Sequence, residues 1–217
     1  MNHIKSAKTC AAMVAAGFLI SCTAPGSAGG SAAADAGRAG PASGTVVDVD
    51  GNVYRTVTIG RQTWMAENLR VTKDPAGDPI VSYCYNDDPA DCETHGRLYT
   101  WEVAMNGATA EGARGICPDG WHIPSDAEWV ELFEYLGGED AAGEKLSIDG
   151  STGFDALLEG GADFRGNYLY RGEYSMFWSS TEVGEERAYH HSVDSDGKAS
   201  KFAAMKGARI AIRAIKD

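Results

Sequence analysis

The segment from Cys117 to Leu136 constrains the fold most, because it predicts a turn, an extended residue and a helix in succession. Pro118-Asp119-Gly120 has the composition of a β-turn, since proline fixes one φ angle and glycine accepts a positive one. Pro124 disfavours helical geometry at the residue before it, so the chain arrives extended. Ser125, three residues before Glu128, then forms the capping box that starts a helix.

The helix predicted after this cap has one apolar face. Its large apolar residues follow the i, i+3, i+4, i+7 spacing of a single stripe, and they are Trp129, Leu132, Phe133 and Leu136. The acidic residues that fall on the wetter side are Glu128, Glu131 and Glu134. Gly137-Gly138 ends the helix. The pattern predicts a core helix with no chemistry of its own.

The first 21 residues have the features of an export signal. Lys5 and Lys8 give a positive start, and the uncharged apolar run from Ala11 to Ile20 is too short to span a bilayer as a helix. The run closes with Leu19-Ile20-Ser21-Cys22, which resembles the bacterial lipobox. The resemblance implies cleavage before Cys22 and diacylglycerol on its thiol, so that acyl chains attach the protein to a membrane. The alternative is an ordinary signal peptide cut near Ala28.

The position after the cysteine bears on location. Residue 23 is threonine rather than aspartate, which by analogy with lipoprotein sorting favours the outer membrane or cell surface over the inner membrane. Residues 22–44 are rich in Ala, Gly, Ser and Pro and are predicted to form a flexible tether. A single folded domain is expected from residue 45 to residue 217.

The charge of the mature chain limits its partners. Without residues 1–21 the chain keeps 17 basic and 31 acidic residues, because only Lys5 and Lys8 are lost, and the net charge becomes −14. An acidic surface of this size argues against nucleic acid and against electrostatic docking on anionic lipid.

A β-hairpin is predicted at the start of the domain. Thr45–Val49 and Val53–Ile59 are rich in β-forming residues, and Asp50-Gly51-Asn52 between them is a hairpin turn. Asp48, Asp50 and Asn52 also resemble the start of a calcium loop, but its twelfth position is Ile59, where a bidentate glutamate is required. A turn is therefore the preferred interpretation.

Three cysteines remain after the signal and the lipidation position are set aside, so one of them is unpaired. In an exported protein, Cys84 and Cys92 are expected to close a small loop, with Cys117 free. A bond from Cys117 to either of the others is the alternative.

The chain after the central helix is predicted to close the domain with strands. Ala141–Leu146 has the pattern of a short connector, and the predicted strands are Phe177–Glu182, Ala188–Val193 and Ile210–Ile215. Asp194-Ser195-Asp196-Gly197 is a further hairpin turn.

The segment 159–176 is rich in glycine and aromatic residues, a composition typical either of a binding loop or of rings that cover the core. If it binds a ligand, three tyrosines are suited to stack on sugar rings and three charged residues to bond hydroxyls. These candidates are Arg165, Tyr168, Tyr170, Arg171, Glu173 and Tyr174. No metal site or cofactor is expected, because His190-His191 face opposite ways on a strand and no carboxylate stands beside them at ligand spacing. The pair is expected to be solvated or half-buried.

Taken together and in order, several of these segments resemble the Fibrobacter succinogenes major paralogous domain, a family of exported bacterial domains that includes many lipoproteins. The segments that carry the resemblance are Asp50–Tyr54, Ile59–Leu69, Gly96–Trp101, Cys117–Trp129 and Phe177–Glu182. Members of this family commonly end in Val-Arg-Cys, whereas this chain has Ile212-Arg213-Ala214. If the family cysteine pairs at the position of Cys117, its loss leaves a buried thiol here.

The stretch from Gly120 to Trp129 is also similar to one in formylglycine-generating sulfatase modifiers and in a collagen-binding adhesin module, both with C-type lectin-like folds. The resemblance implies a mixed α+β, C-type lectin-like domain with short hairpins, one or two helices and long loops. The expected function is a non-catalytic binding module for polysaccharide or another extracellular polymer. The alternatives are a structural envelope subunit that contacts other envelope proteins, and an enzyme of the formylglycine-generating type.

Overall fold

The computed structural model describes residues 42–217, so the predicted signal peptide, Cys22 and nearly all of the tether lie outside the described residues. Helices and antiparallel strands are mixed in this part, which confirms the predicted α+β class. The strands are β1 (Ala42–Val47), β2 (Val53–Ile59), β3 (Gln62–Met65), β4 (Trp121–His122), β5 (Gly161–Ala162), β6 (Tyr168–Leu169), β7 (Tyr174–Glu182), β8 (Arg187–Asp194), β9 (Ala199–Met205) and β10 (Ile215–Lys216). The helices are α1 (Pro89–His95), α2 (Trp101–Met105), α3 (Asp126–Tyr135) and α4 (Glu139–Leu146), and a 3-10 helix spans Tyr85–Asp87. No helix within residues 42–217 is long and apolar enough to cross a membrane.

Two antiparallel sheets form the main body. The first has the order β1-β2-β3-β10-β4, so β10, the last strand in sequence, lies between β3 and β4. Ile215 of β10 stands opposite Trp64 of β3 on one side and His122 of β4 on the other. The second sheet has the order β7-β8-β9. It is tied to the chain before β10 by a hydrogen bond from Trp178 N to Ala211 O of 3.0 Å.

The central helix α3 confirms the sequence prediction. The Ser125 side chain accepts from the backbone of Glu128, and the Glu128 carboxylate accepts from the backbone of Ser125, which is the complete capping box. Trp129 is fully buried, stacks on Phe177 at 5.5 Å between ring centroids, and lies 4.6 Å from the Trp64 ring. The helix therefore joins both sheets through one aromatic cluster.

The aspartates of the first hairpin stabilise its turn by hydrogen bonds. Asp48 Oδ1 accepts from the backbone N–H groups of Asp50 and Asn52 at 2.9 Å, and its Oδ2 accepts from Tyr54 at 2.6 Å. Asp50 Oδ2 in turn accepts from the Thr72 hydroxyl at 2.8 Å. The carboxylates close and brace the turn that was predicted there.

The predicted disulfide between Cys84 and Cys92 is present and encloses the 3-10 helix and the start of α1. Cys117 is free and buried. Burial raises the pKa of its thiol far above the ordinary value, so the group remains protonated at neutral pH.

Arg213, in the chain just before β10, is fully buried. Its guanidinium donates to Asn68 Oδ1 at 3.0 Å and to the backbone carbonyl of Phe154, and it lies 4.4 Å from the Phe154 ring centroid. Burial lowers the pKa of this guanidinium to about 10, so it is still charged at neutral pH. Through these contacts Arg213 links the chain before β10 to Asn68 and to the backbone at Phe154.

Two segments and the number of helices were predicted wrongly, and one strand was missed. Ala141–Leu146, expected as a connector, belongs to helix α4, and the described part has four helices rather than one or two. Strand β9 was not predicted at all. Ile210–Ile215 is not one strand, because Ile210 bonds Tyr99, Ala211 bonds Trp178 and only Ile215–Lys216 pairs as β10.

Candidate functional site

The described part of the chain has an open groove of about 460 Å³ on one face of the second sheet. We call it the β7–β9 groove. Its lining residues are Gly161, Ala162, Asp163, Leu169, Tyr170, Tyr174, Met176, His190, Ser192, Phe202, Ala204, Ala208 and Ile210. The volume falls within the roughly 300–1,000 Å³ that is usual for small-ligand sites.

The floor of the groove follows from the two-residue period of β-strands. Each strand of the sheet contributes alternate residues to this face: Tyr174 and Met176 from β7, His190 and Ser192 from β8, Phe202 and Ala204 from β9. The intervening residues Phe177 and His191 point to the opposite face and pack on Trp129 of α3. The same sheet therefore covers the core with one face and opens the groove with the other.

His190 lies in the centre of the floor. Its ring is 6.2 Å from the Trp178 ring on β7 and 5.7 Å from the Phe202 ring on β9, with which it is stacked. The residue is 8% exposed, and burial lowers the pKa of its imidazole to about 4, so the ring is neutral at physiological pH. Its Nδ1 is buried and has no hydrogen-bond partner among residues 42–217.

Ser192 lies two residues further along the same face of β8 and is 2% exposed. Its Oγ is also buried and without a hydrogen-bond partner in the described chain. Buried polar groups in folded proteins are nearly always bonded, and an unbonded one costs about 1–3 kcal/mol. Two such groups under one groove therefore require an explanation beyond packing.

The opposite wall is aromatic and exposed. Tyr170 is 48% exposed, and its ring meets the ring of Tyr174 edge to face at 5.5 Å. Tyr170 adopts a positive φ of 66°, and its carbonyl accepts from the backbone N–H of Tyr174 at 3.0 Å, which turns the chain from β6 into β7. Phe202, 51% exposed, stands on β9 at the other side of the floor.

Close backbone packing holds the wall against the sheet. A Cβ at Gly160 would lie 2.4 Å from the Leu169 carbonyl oxygen, and one at Gly161 would lie 2.8 Å from that of Arg209. Contacts this short exclude any side chain at either position. The glycine content of segment 159–176 thus serves the close approach of three chain segments around the groove.

Asp163 is the acidic residue of the groove lining, and its carboxylate is already engaged. Its oxygens accept from the Asn167 side chain at 2.7 Å and from the backbone N–H groups of Asn167 and Arg165. These bonds, the Asn167 side chain first, lower the pKa of the carboxyl. The side chain closes the β5–β6 turn rather than presenting a free charge to a ligand.

The six predicted ligand residues separate into groups. Tyr170 and Tyr174 line the groove. Tyr168 instead donates to Asp87 at 2.7 Å and stacks near Tyr85, and Arg171 pairs with Asp91 at 2.5 Å. The remaining two lie elsewhere on the surface of the loop: Arg165 covers the Phe164 ring at 5.2 Å, and the carbonyl of Glu173 accepts from Ser195 N.

The sequence interpretation missed the floor residues His190, Ser192 and Phe202. The two histidines do face opposite ways, as expected, but both are buried, so the expectation of a solvated or half-buried pair was wrong. His191 stacks on Trp129 at 5.3 Å, and its Nε2 lies 3.1 Å from Asp126 Oδ1. The alternation of His190 and Ser192 along a strand was the available signal, but it does not reveal which face is open.

These features define a small α+β domain whose second sheet carries an aromatic, largely uncharged groove. Over residues 57–216 the sequence matches the family described as the Fibrobacter succinogenes major domain, and the chain belongs to this family. The match includes the whole groove. No curated protein and no solved structure matches the chain significantly.

Proposed function

We propose that this chain is an exported, lipid-anchored binding module that holds an extracellular polymer, such as a polysaccharide, on the β7–β9 groove. The observation that supports this most is the combination found in the groove: exposed rings of Tyr170 and Phe202 above two buried, unbonded polar side chains. Binding sites in proteins typically combine apolar walls with a few polar groups that fix orientation. Attachment through Cys22 at the outer membrane or cell surface, followed by the tether, places such a module where polymers are met.

The finer architecture that we propose is C-type lectin-like. The similarity of the Gly120–Trp129 stretch to lectin-like domains supports it, as do the intramolecular disulfide and the long connections around short strands. A fold of this type does not itself fix a function. An experimental structure compared with lectin-like domains tests the assignment.

Binding is favoured over the thiol chemistry of formylglycine-generating enzymes. Two of the three cysteines in the described chain form the disulfide, and the third, Cys117, is buried with a raised thiol pKa. A nucleophilic thiol needs access and a lowered pKa, and Cys117 has neither.

The alternative of a structural envelope subunit has one observation of its own. Val47, Val49 and Val53 on the first hairpin are each about half exposed, at 54%, 46% and 52%. Apolar side chains grouped near the start of the domain suit contact with another envelope protein. Crosslinking on intact cells that recovers a stoichiometric protein partner through this hairpin, and not through the groove, favours this alternative.

The binding proposal is tested by retention of the purified full-length protein on insoluble polysaccharides and other extracellular polymers. We expect retention by the native protein and at least a tenfold loss in the Tyr170→Ala variant, because an aromatic platform is worth about 1–3 kcal/mol. Tyr135→Ala is the matched control, since Tyr135 is an exposed tyrosine on α3, outside the groove. Absence of retention on every polymer, or equal retention of Tyr170→Ala and Tyr135→Ala, contradicts the proposal.

A further inference from the structure

We propose that the β7–β9 groove receives an uncharged phenolic ring, with its hydroxyl bonded to the polar side chains under the floor. This inference rests on the proposed function and narrows the polymer to one that carries phenolic groups. It is carried by the charge, the wall composition and the unbonded atoms of the groove, in that order.

The charge of the lining selects a neutral ligand. The groove lining contains no lysine or arginine, Asp163 is engaged in its own turn, and the His190 imidazole is neutral because burial disfavours its charged form. A bound anion would lack a counter-charge there and would meet the ionised Asp163 carboxylate, while a bound cation would find only this one carboxylate, whose oxygens already accept three hydrogen bonds. Burial of an unpaired charge is costly, so charged groups are disfavoured in this site.

The walls select a flat apolar ring over a polyhydroxylated one. Beside its aromatic residues, the groove lining has aliphatic side chains that offer no hydrogen bonds, namely Ala162, Leu169, Met176, Ala204, Ala208 and Ile210. A sugar ring placed there would press several hydroxyls against carbon and lose their bonds to water without replacement. An aromatic ring buries two apolar faces and gains edge-to-face contacts with Tyr170, Tyr174 and Phe202.

The floor then selects one hydroxyl on that ring. A neutral imidazole offers one acceptor nitrogen, and a serine hydroxyl can donate or accept. Both atoms are buried below the groove surface, so a phenol hydroxyl reaches them only when these floor side chains turn toward the groove. It can then donate to Nδ1 of His190 and accept from Ser192 Oγ, which supplies both missing partners. A phenylalanine-like ring makes the same apolar contacts with the walls, but it has no hydroxyl and leaves His190 Nδ1 and Ser192 Oγ without hydrogen bonds.

The test is calorimetric titration of the purified full-length protein with four probes. Para-cresol tests the ring alone, N-acetyl-tyrosinamide and N-acetyl-phenylalaninamide differ only in the hydroxyl, and methyl glucoside represents a sugar. We expect binding of the two phenols, about tenfold weaker binding of the phenylalanine compound and none of the glucoside. Comparison of methyl ferulate with N-acetyl-tyrosinamide then separates a phenolic ester from a tyrosine side chain as the source of the ring.

Variants locate the site. Ser192→Ala should weaken para-cresol about tenfold, the loss expected for one hydrogen bond in a desolvated site, while the affinity for the phenylalanine compound stays unchanged. Ser195→Ala, at the exposed tip of the β8–β9 hairpin, is the matched control and should bind all probes as the native protein does. Tyr170→Ala, a change at an exposed position, should abolish binding even if Ser192→Ala fails to fold.

The possible failures are distinguishable. Equal affinity for the tyrosine and phenylalanine compounds, or binding of the glucoside and not of para-cresol, overturns the inference and leaves the proposed function standing. Retention on polymers without binding of any phenol also overturns the inference and leaves the proposed function standing. Binding of para-cresol with no retention on any polymer supports the ring site and contradicts the polymer-binding function.

Discussion

His122 links the start of helix α3, six residues further along the chain, with Asp217, 95 residues away. Its Nε2 lies 2.9 Å from Glu128 Oε1 in the capping box of α3, and its Nδ1 lies 2.7 Å from Asp217 Oδ1 at the C-terminus. Two carboxylates can both accept only from the protonated ring. The hydrogen bond to Glu128 is the main cause that raises the pKa of His122, with burial opposing it. A single side chain thus links β4, α3 and the end of β10.

We expect the stability of the domain to depend on pH through this residue. Because the pKa of His122 is raised in the folded state, its contribution is fully present below the unfolded value of about 6.5 and is lost as pH rises through the folded value. His122→Gln should therefore lower the free energy of unfolding by about 1–2 kcal/mol at pH 5.5 and by less at pH 9. Urea unfolding at both pH values measures this difference. An equal loss at pH 5.5 and pH 9 would show that the ring acts by packing alone.

Glu128 gives the opposite dependence at lower pH. Burial alone would raise the pKa of its carboxyl, but hydrogen bonds from His122 and Ser125 outweigh burial and lower it. Its contribution is present above about pH 4.5 and is lost as pH falls through the lowered folded value. The His122 effect is therefore best measured between pH 5.5 and 9, where Glu128 remains ionised.

At the scale of the element, the sequence predicted best what local interactions decide. The capping box and apolar stripe of α3 involve residues within two turns of each other, and the hairpin turns at Asp50-Gly51-Asn52 and Asp194–Gly197 are equally local. Strand β9 was missed because Lys201, Phe202 and Ala203 lack the β-branched pattern of a strand, and pairing with β8 determines its conformation.

The groove shows the same division. Of the tyrosines that the composition of segment 159–176 singled out as ligand candidates, Tyr170 is exposed and Tyr174 is partly buried, and both line the groove. The placement of Tyr168 and Arg171 depends on α1 and the 3-10 helix, some 80 residues earlier in the chain. His190 and Ser192 could be assigned to the groove only from the structure, which shows that one face of the second sheet is open and the other is covered by α3.

Helix α4 illustrates how a packing requirement hides an element from sequence patterns. Gly143 lies in its middle, where glycine disfavours helix, and this weakened the helical pattern of the segment. A Cβ at this position would lie 2.4 Å from the backbone oxygen of Gly197, in the turn between β8 and β9. Glu144 N donates to that same oxygen at 2.8 Å. The glycine allows the helix to dock directly on the hairpin.

Gly143→Ala should therefore destabilise the protein although alanine is the better helix former. We expect a loss of about 2 kcal/mol in the free energy of unfolding, because the backbone clash exceeds the gain of about 1 kcal/mol in helix propensity. Ala141→Gly in the same helix is the control and should cost about 1 kcal/mol through propensity alone. Denaturant unfolding of the three proteins gives the comparison. A stabilised Gly143→Ala variant would mean that the α4–hairpin contact is loose.

At the scale of the whole molecule, charge and anchoring belong to the same interpretation. The chain after residue 21 carries a net charge of −14, which opposes adsorption to anionic lipid headgroups. If the chain is lipid-anchored as we propose, the covalent anchor rather than surface charge holds this acidic domain near the membrane. A neutral ligand for the groove suits this proposal, because its binding does not depend on the surrounding acidic surface.

The anchor proposal makes a prediction about processing. Replacement of Cys22 by alanine removes the thiol that would receive diacylglycerol, so the precursor should accumulate uncleaved, and inhibition of lipoprotein signal peptidase by globomycin should have the same effect on the native chain. Hydrophobic attachment should also be lost from any Cys22→Ala protein that is released, because acyl chains supply it at about 0.8 kcal/mol per buried methylene. Immunoblots of whole cells and detergent phase separation measure both outcomes, and Cys117→Ala, which removes a buried thiol inside the domain, serves as the control. Normal maturation of the Cys22→Ala chain would indicate an ordinary signal peptide cut near Ala28 and would contradict attachment of the protein to a membrane through acyl chains.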